Sequence, residues 1–335
     1  MFSKYINVFF RLILPTLKHN NPEILNIAFI LLSFVLAVII PFQLFIFSYA
    51  ILGPLHYLTE IAWLHKKQYF VSKSSIAWQF AIISALLTIC LVLLYYPSQQ
   101  INLITTNSLN HLFTSLIILA LAIAAYNIYI KQEINKIALV IAVVSLIFIL
   151  NQFSFSYILF AIFLPTLVHV FVFTLIFMVV GAIKTRNKIS YTAIALFVAC
   201  SALFLINFQV VYDVSSYFRT AYQSSNFSYL ASYISNQSQF NFKSSSILKA
   251  QRFIAFAYTY HYLNWFVKTN ITEWNKLPQK TIAISIIIWL ASVSLYIYNF
   301  KYGFIALFFL STYHVLLELP LNIISIKNLI IKIKQ

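Results

Sequence analysis

The feature that most constrains this chain is a series of apolar runs, each close to the length that crosses a lipid bilayer. A helix needs about 20 apolar residues to span the hydrocarbon core, and in lipid only helices and closed barrels satisfy their backbone polar groups. These runs predict an all-α, polytopic integral membrane bundle of about ten transmembrane helices. They cover residues 24–42, 43–64, 75–96, 109–130, 134–151, 155–183, 190–208, 250–267, 280–299 and 303–324.

Composition excludes the soluble classes of protein. Of the 335 residues, 62% are hydrophobic and 8% are charged, whereas soluble domains carry about 25% charged residues. The 22 Lys and Arg outnumber the 6 Asp and Glu, but they lie singly or in small groups between apolar runs, where juxtamembrane charges belong. A nucleic-acid partner is therefore not expected. With only three glycines, a glycine-rich phosphate loop is not expected either.

The basic residues also predict the orientation of the spans. If the N-terminus lies in the cytoplasm, the loops on that side carry most of the Lys and Arg, as the positive-inside rule requires. Both termini are then cytoplasmic, and the expected location is a bacterial inner membrane. The basic residues on that side are Lys4, Arg11, Lys18, Lys66, Lys67, Lys73, Lys131, Lys136, Lys184, Arg186, Lys188, Lys268, Lys276, Lys280, Lys327, Lys332 and Lys334.

The whole chain, residues 1–335, is predicted to form a single membrane domain. Residues 1–23 are predicted to form an interfacial segment. Pro41 is expected to separate the first two spans. Residues 209–249 form a long extracytoplasmic segment rich in Ser and Asn. This segment is either a solvated linker with interfacial aromatic residues or a lid over a cavity.

The two acids inside predicted spans follow one pattern. Glu60 lies four residues after His56, and Glu318 lies four residues after His314. Residues four apart share a helix face, so each helix presents an imidazole and a carboxylate together. Ionisable groups inside a membrane are costly and mark functional sites.

Two further histidines, His169 and His261, lie well inside predicted spans. All four histidine-bearing spans run in the same direction, which allows their depths to be compared. At about 1.5 Å per residue, the histidines lie about 10 to 22 Å from the next basic residue along the chain. These depths fall in the middle of the bilayer, so the four helices are expected to converge on one intramembrane site.

This set of side chains favours a metal site. Imidazole suits iron, zinc, copper and nickel, and histidines with carboxylates suit non-haem Fe(II) chemistry. We expect His56, His169, His261 and His314 to be the metal ligands. Glu60 and Glu318 are the expected catalytic acids, which either join the ligands or orient them. Five further residues near the histidines are predicted either to line a substrate cavity or to serve only in helix packing. They are Tyr57, Tyr260, Asn264, Trp265 and Tyr313.

The stretch Gly53-Pro54-Leu55-His56-Tyr57-Leu58-Thr59-Glu60 resembles the G-x-P-H-G-x-x-D motif of the bacterial and archaeal membrane β-carotene dioxygenases, the bacterioopsin-related type. Gly53, His56 and the acid four residues later keep the spacing of the motif, while Tyr57 replaces a glycine. The resemblance implies a multi-span fold, iron bound by histidines including His56 and His261, and cleavage of a carotene by O₂.

Three functions remain open from the sequence. The first is a membrane-embedded non-haem iron oxygenase that acts on an apolar lipid or isoprenoid with O₂. The sequence leaves open whether such a chain forms homo-oligomers. The second is a proton- or metal-coupled transporter, in which the same His/Glu cluster acts as a relay. The third is a non-catalytic scaffold, which does not explain ionisable groups in the middle of the bilayer.

Overall fold

The computed structural model describes residues 22–67, 74–95, 103–129, 136–153, 155–208, 210, 213–225, 227–267 and 278–333. Every regular element among these residues is a helix, and none of them forms a strand. The predicted all-α class is therefore confirmed. Most of the predicted interfacial segment, residues 1–21, lies outside the described residues.

The helices include two π-helical segments, in which each backbone hydrogen bond joins residues five positions apart instead of four. In chain order the elements are α1 (Pro22–Ile39), α2 (Pro41–Phe47), π1 (Ser48–Leu52), α3 (Gly53–Lys67), α4 (Ser74–Tyr95), α5 (Leu103–Tyr129), α6 (Lys136–Asn151), π2 (Tyr157–Phe173), α7 (Thr174–Thr185), α8 (Lys188–Leu203), α9 (Ser216–Gln223), α10 (Phe227–Ile234), α11 (Ser245–Val267), α12 (Gln279–Tyr298) and α13 (Phe300–Ile333). They form two compact units. Unit 1 is Met1–Thr59 with Met178–Phe300, and unit 2 is Glu60–Phe177 with Lys301–Gln335.

Seven helical segments in the described residues are long and apolar enough to cross a membrane, which identifies a membrane protein. Two apolar helices, Ile137–Asn151 and Lys188–Leu203, are shorter. The predicted run at residues 250–267 belongs to α11, which also carries Lys249, Gln251 and Arg252. Each of the ten predicted runs thus contains a helix in its described residues, although α8 ends at Leu203, before the end of the 190–208 run. The number of helices that cross the membrane and the side of the termini stay predictions. The seven are Pro22–Ile39, Pro41–Lys66, Ser75–Leu94, Thr106–Ile128, Tyr157–Thr185, Gln279–Tyr298 and Phe300–Lys332.

The predicted break at Pro41 is confirmed, and α11 stabilises it. Ile40 leaves the helical region, with φ −133° and ψ 55°, and α2 begins at Pro41. Proline has no N–H, so the carbonyls at such a break need donors from elsewhere. Gln251 donates to the Pro41 carbonyl at 3.1 Å, and Arg252 donates through Nε to the Val38 carbonyl at 3.2 Å.

Unit 1 is organised around α11, which packs against α1, α2, π1 and α10. Polar bonds fix it in place. Tyr260 donates to Asn26 at 2.8 Å, and the hydroxyls of Thr259 and Ser48 lie 2.8 Å apart. Hydrogen bonds between helices of this kind contribute to packing inside membranes, where the apolar surfaces have lipid as an equal alternative. These bonds determine which face of α11 meets each neighbour.

We expect Arg252→Met to destabilise unit 1. Arg252 is 1% exposed, and its guanidinium also donates to the Phe208 carbonyl at 3.2 Å. Methionine fills much of the space but leaves buried carbonyls without a donor, which costs about 1–3 kcal/mol for each such group. Thermal unfolding of the detergent-solubilised protein measures the loss. The control is Arg219→Met, which removes a pair with Asp213 and a hydrogen bond from Nε to the Val214 carbonyl. Because the Arg219 side chain is 44% exposed, water can replace it, and we expect a smaller loss than for Arg252→Met. Equal losses in the two variants would contradict the prediction.

The described part of segment 209–249 is folded, so the solvated-linker interpretation does not describe it. It forms α9 and α10, and Tyr222, Phe227 and Leu230 are buried. The Tyr222 hydroxyl donates to Gln251 on α11 and to the Phe227 carbonyl. Burial raises the pKa of Tyr222 well above its ordinary value, which keeps the phenol neutral as a donor. Helices α9 and α10 therefore pack against α2 and α11, respectively, within unit 1.

Unit 2 is organised around α5, which packs against α4, α6 and π2. Asn151 at the end of α6 donates to the Ser115 hydroxyl on α5 at 3.0 Å. Two prolines lie inside its histidine-bearing helices, Pro165 in π2 and Pro320 in α13. Proline removes one backbone hydrogen bond. π-Helical turns are rare in proteins, and many of them lie at functional sites.

Candidate metal centre

All four predicted ligands and both predicted acids are buried. Their exposed fractions lie between 2% and 8%. An uncompensated polar side chain in such a position is costly, so each needs a polar partner or a bound ion. The other described histidines, His65 and His111, are exposed. The six buried groups are His56, Glu60, His169, His261, His314 and Glu318.

In unit 1 the structure brings two of the predicted ligands together. His56 near the start of α3 and His261 on α11 face each other through their Nε2 atoms, which lie 3.1 Å apart. The ring planes are inclined by 73°, with centroids 4.7 Å apart. The residues are 205 positions apart in the sequence, so this pair depends on the packing of α11 against the α2–π1–α3 segment.

In unit 2 the other two predicted ligands form a second pair of the same kind. Nε2 of His169 on π2 lies 3.3 Å from Nε2 of His314 on α13. The ring planes are inclined by 76°, with centroids 5.1 Å apart. Two pairs of buried histidines thus present the same nitrogen to each other at similar distances and angles.

A carboxylate stands behind one of these rings. Oε2 of Glu318 lies 2.9 Å from Nδ1 of His169. The spacing of His314 and Glu318 predicted only that the two share a face of α13. The structure shows in addition that the Glu318 carboxylate contacts a histidine on a different helix. The two atoms are in close contact but lack the alignment of a hydrogen bond. A carboxylate that rotates into alignment with Nδ1 would fix the ring orientation and direct the Nε2 lone pair outward, as in carboxylate–histidine–metal arrangements.

The distances between the paired nitrogens suit a shared ion. Metal–nitrogen bonds of about 2.0–2.1 Å with angles of about 90–105° place two ligand nitrogens about 2.9–3.3 Å apart. A direct N–H···N hydrogen bond between neutral imidazoles has a similar length. Nε2 is the donor or the acceptor in that bond, according to the tautomer. Each pair is therefore suited either to hold a metal or to pass a proton.

Aromatic side chains surround the pair in unit 1. The His56 ring lies 5.2 Å from that of Tyr262 and 5.5 Å from that of Trp265. The Trp265 indole donates to the Thr59 hydroxyl at 3.0 Å. A Cβ atom at Gly53 would lie 3.2 Å from the Tyr262 hydroxyl oxygen. A glycine three residues before His56 therefore lets Tyr262 approach closely.

The predicted substrate-lining residues fall into different environments. Trp265 contacts His56, as described above, and Tyr57 and Asn264 are buried. The hydroxyl of Tyr260 is bonded to Asn26 on α1, and that of Tyr313 lies 3.1 Å from Nε2 of the exposed His65. The lining role of all five residues stays a prediction.

Glu60 lies one turn after His56 on α3, as predicted from the spacing. The residue before it, Thr59, was missed by the sequence analysis. Its hydroxyl donates to the carbonyls of Leu55 and His56 and accepts the Trp265 indole N–H. The sequence did offer a signal for Thr59, because it lies three residues after His56 and therefore on nearly the same face of the helix.

No protein-family model, curated protein or solved structure matches this chain. The resemblance of the Gly53–Glu60 stretch to the membrane β-carotene dioxygenases therefore stays a prediction.

Proposed function

We propose that this chain is an integral-membrane, non-haem metal oxygenase that uses iron and O₂ on an apolar lipid or isoprenoid. One observation carries the proposal: two pairs of buried histidines facing through Nε2 at 3.1 Å and 3.3 Å, with Glu318 behind His169. Neutral imidazole is a ligand for redox-active metals. A helical membrane protein gives such a site an apolar surrounding that suits a lipid.

In this proposal each side chain has a distinct role. His56, His169, His261 and His314 bind the metal, and Glu318 orients His169 through Nδ1. Glu60 is a further acid at the site. The aromatic groups around His56, among them Tyr262 and Trp265, exclude water and provide flat apolar surfaces. When bound, Fe(II) would supply the capacity to bind and reduce O₂.

Elemental analysis of the purified protein tests this function. We expect about one or two iron atoms per chain after purification or after Fe(II) loading under argon. The iron-loaded protein is then expected to consume O₂ only when an apolar substrate is added, for example β-carotene or a linear isoprenoid in detergent. A well-folded protein that binds no metal after loading would contradict the proposal. The same holds for a metal-loaded protein that leaves every substrate unchanged.

A second candidate function is a proton- or metal-coupled transporter. The observation that favours it is that both Nε2 pairs also have the length of a direct hydrogen bond, as in a proton relay. Proton flux into liposomes that is lost in Glu60→Gln would support this function. Absence of flux in a protein that binds stoichiometric iron would exclude it in favour of the oxygenase.

A further inference from the structure

Helix α13 carries a buried polar stripe that continues beyond the candidate ligands. His314, Glu318, Asn322 and Ser325 follow each other at intervals of four, four and three residues, and all four are buried. At about 100° per residue they lie within an arc of about 80° on one face of the helix. The stripe therefore extends the polar face of the His314–Glu318 turn by two more turns.

Asn322 is the unusual member of the stripe. Its side chain is 1% exposed, and neither Nδ2 nor Oδ1 has a hydrogen-bond partner among the described residues. An asparagine that serves only to join membrane helices bonds to its neighbour. A buried amide without partners costs several kcal/mol, whereas buried water satisfies such groups at a modest cost.

The stripe leads toward one end of the helix. Burial continues to Ser325, while Ile326, Lys327 and Asn328 are exposed. Lys327 marks the water-facing end of the helix, because lysine ammonium groups seek the interface. Ser325 lies about 10 Å along the helix from Glu318, a distance that a few water molecules cover.

We propose that Glu318, Asn322 and Ser325 line a water path from the Lys327 end of α13 to the candidate site. Water bonded to the Asn322 amide would supply the partners that this side chain lacks among the described residues. The path gives water and small hydrated solutes a polar route, separate from the apolar route that a lipid would take. Its purpose rests on the proposed function, since a metal site needs entry for the ion and for released protons.

Cysteine accessibility tests the path without any metal or substrate. The background carries Cys90→Ala and Cys200→Ala, which remove the two native cysteines. Single cysteines are then introduced by Ser325→Cys, Asn322→Cys and the control Ile324→Cys. Ile324 lies between Asn322 and Ser325 along α13 but on another face of the helix. Its side chain is more exposed than that of Asn322. The probe is a membrane-impermeant, cationic methanethiosulfonate added to proteoliposomes.

We expect the cysteines at positions 325 and 322 to react at least about tenfold faster than the one at position 324, because only a hydrated thiol ionises to the reactive thiolate. Equal or reversed rates would overturn the proposal. Ser325→Cys changes one atom in the side chain and keeps the test valid if Asn322→Cys unfolds. A chain that binds no iron but shows this labelling pattern would contradict the oxygenase and retain the path.

Discussion

Replacing His56 or His314 with alanine is expected to remove at least half of the metal that the chain binds. The two residues belong to different Nε2 pairs, so each substitution leaves one histidine of its pair without a partner ligand. Zinc-finger peptides gain about 10–16 kcal/mol from four ligands. Loss of one ligand therefore corresponds to an affinity decrease of about a hundredfold or more. Inductively coupled plasma mass spectrometry on the purified variants, with metal competition by a chelator, measures both content and affinity.

The pattern of loss distinguishes two arrangements. If each single variant loses all of its metal, both pairs contribute to the binding of the same ion or ions, as the sequence analysis predicted from the common depth of the histidines. If each loses half, each pair holds an ion of its own. The control is His111→Ala, which removes an exposed histidine on α5 and should leave the metal content unchanged. Full retention in both His56→Ala and His314→Ala would contradict the proposed ligands.

The sequence was sufficient for features that depend on local physics. Long apolar runs give helices because the lipid leaves the backbone no other partner, and Pro41 ends α1 because it lacks an N–H. Burial of His56 and His314 followed from their position inside apolar runs. The shared face of His314 and Glu318 followed from helical periodicity alone.

Features that depend on long-range packing were not predictable in the same way. The contact between Glu318 and Nδ1 of His169 joins helices 149 residues apart in the sequence, and no periodicity indicates which helices become neighbours. The same applies to Thr59 and Trp265. In segment 209–249 the Ser- and Asn-rich composition hid α9 and α10, whose stability comes from Tyr222 and Phe227 buried in unit 1. Tertiary burial decided the structure of that segment more than local propensity.

We expect Glu318→Leu to lower metal affinity about 10- to 100-fold, the effect typical of losing a carboxylate behind a metal-bound histidine. Leucine offers no acceptor in place of the Glu318 carboxylate, which lies 2.9 Å from Nδ1 of His169. The tautomer that carries its proton on Nδ1 and its lone pair at Nε2 is then less favoured. Glu318→Gln should have a smaller effect, because its amide oxygen can still accept from Nδ1. Chelator competition on both variants measures the difference.

The control is Asp213→Asn, which neutralises a carboxylate whose side chain is 91% exposed and should leave affinity unchanged. A decrease as large as that of His314→Ala would instead make Glu318 a direct ligand, since loss of an orienting group leaves all four imidazoles in place. Unchanged affinity in Glu318→Leu would mean that packing alone orients His169. For a positioning carboxylate we therefore expect metal affinity to fall least in Glu318→Gln, further in Glu318→Leu, and most in a variant that lacks one of the histidines.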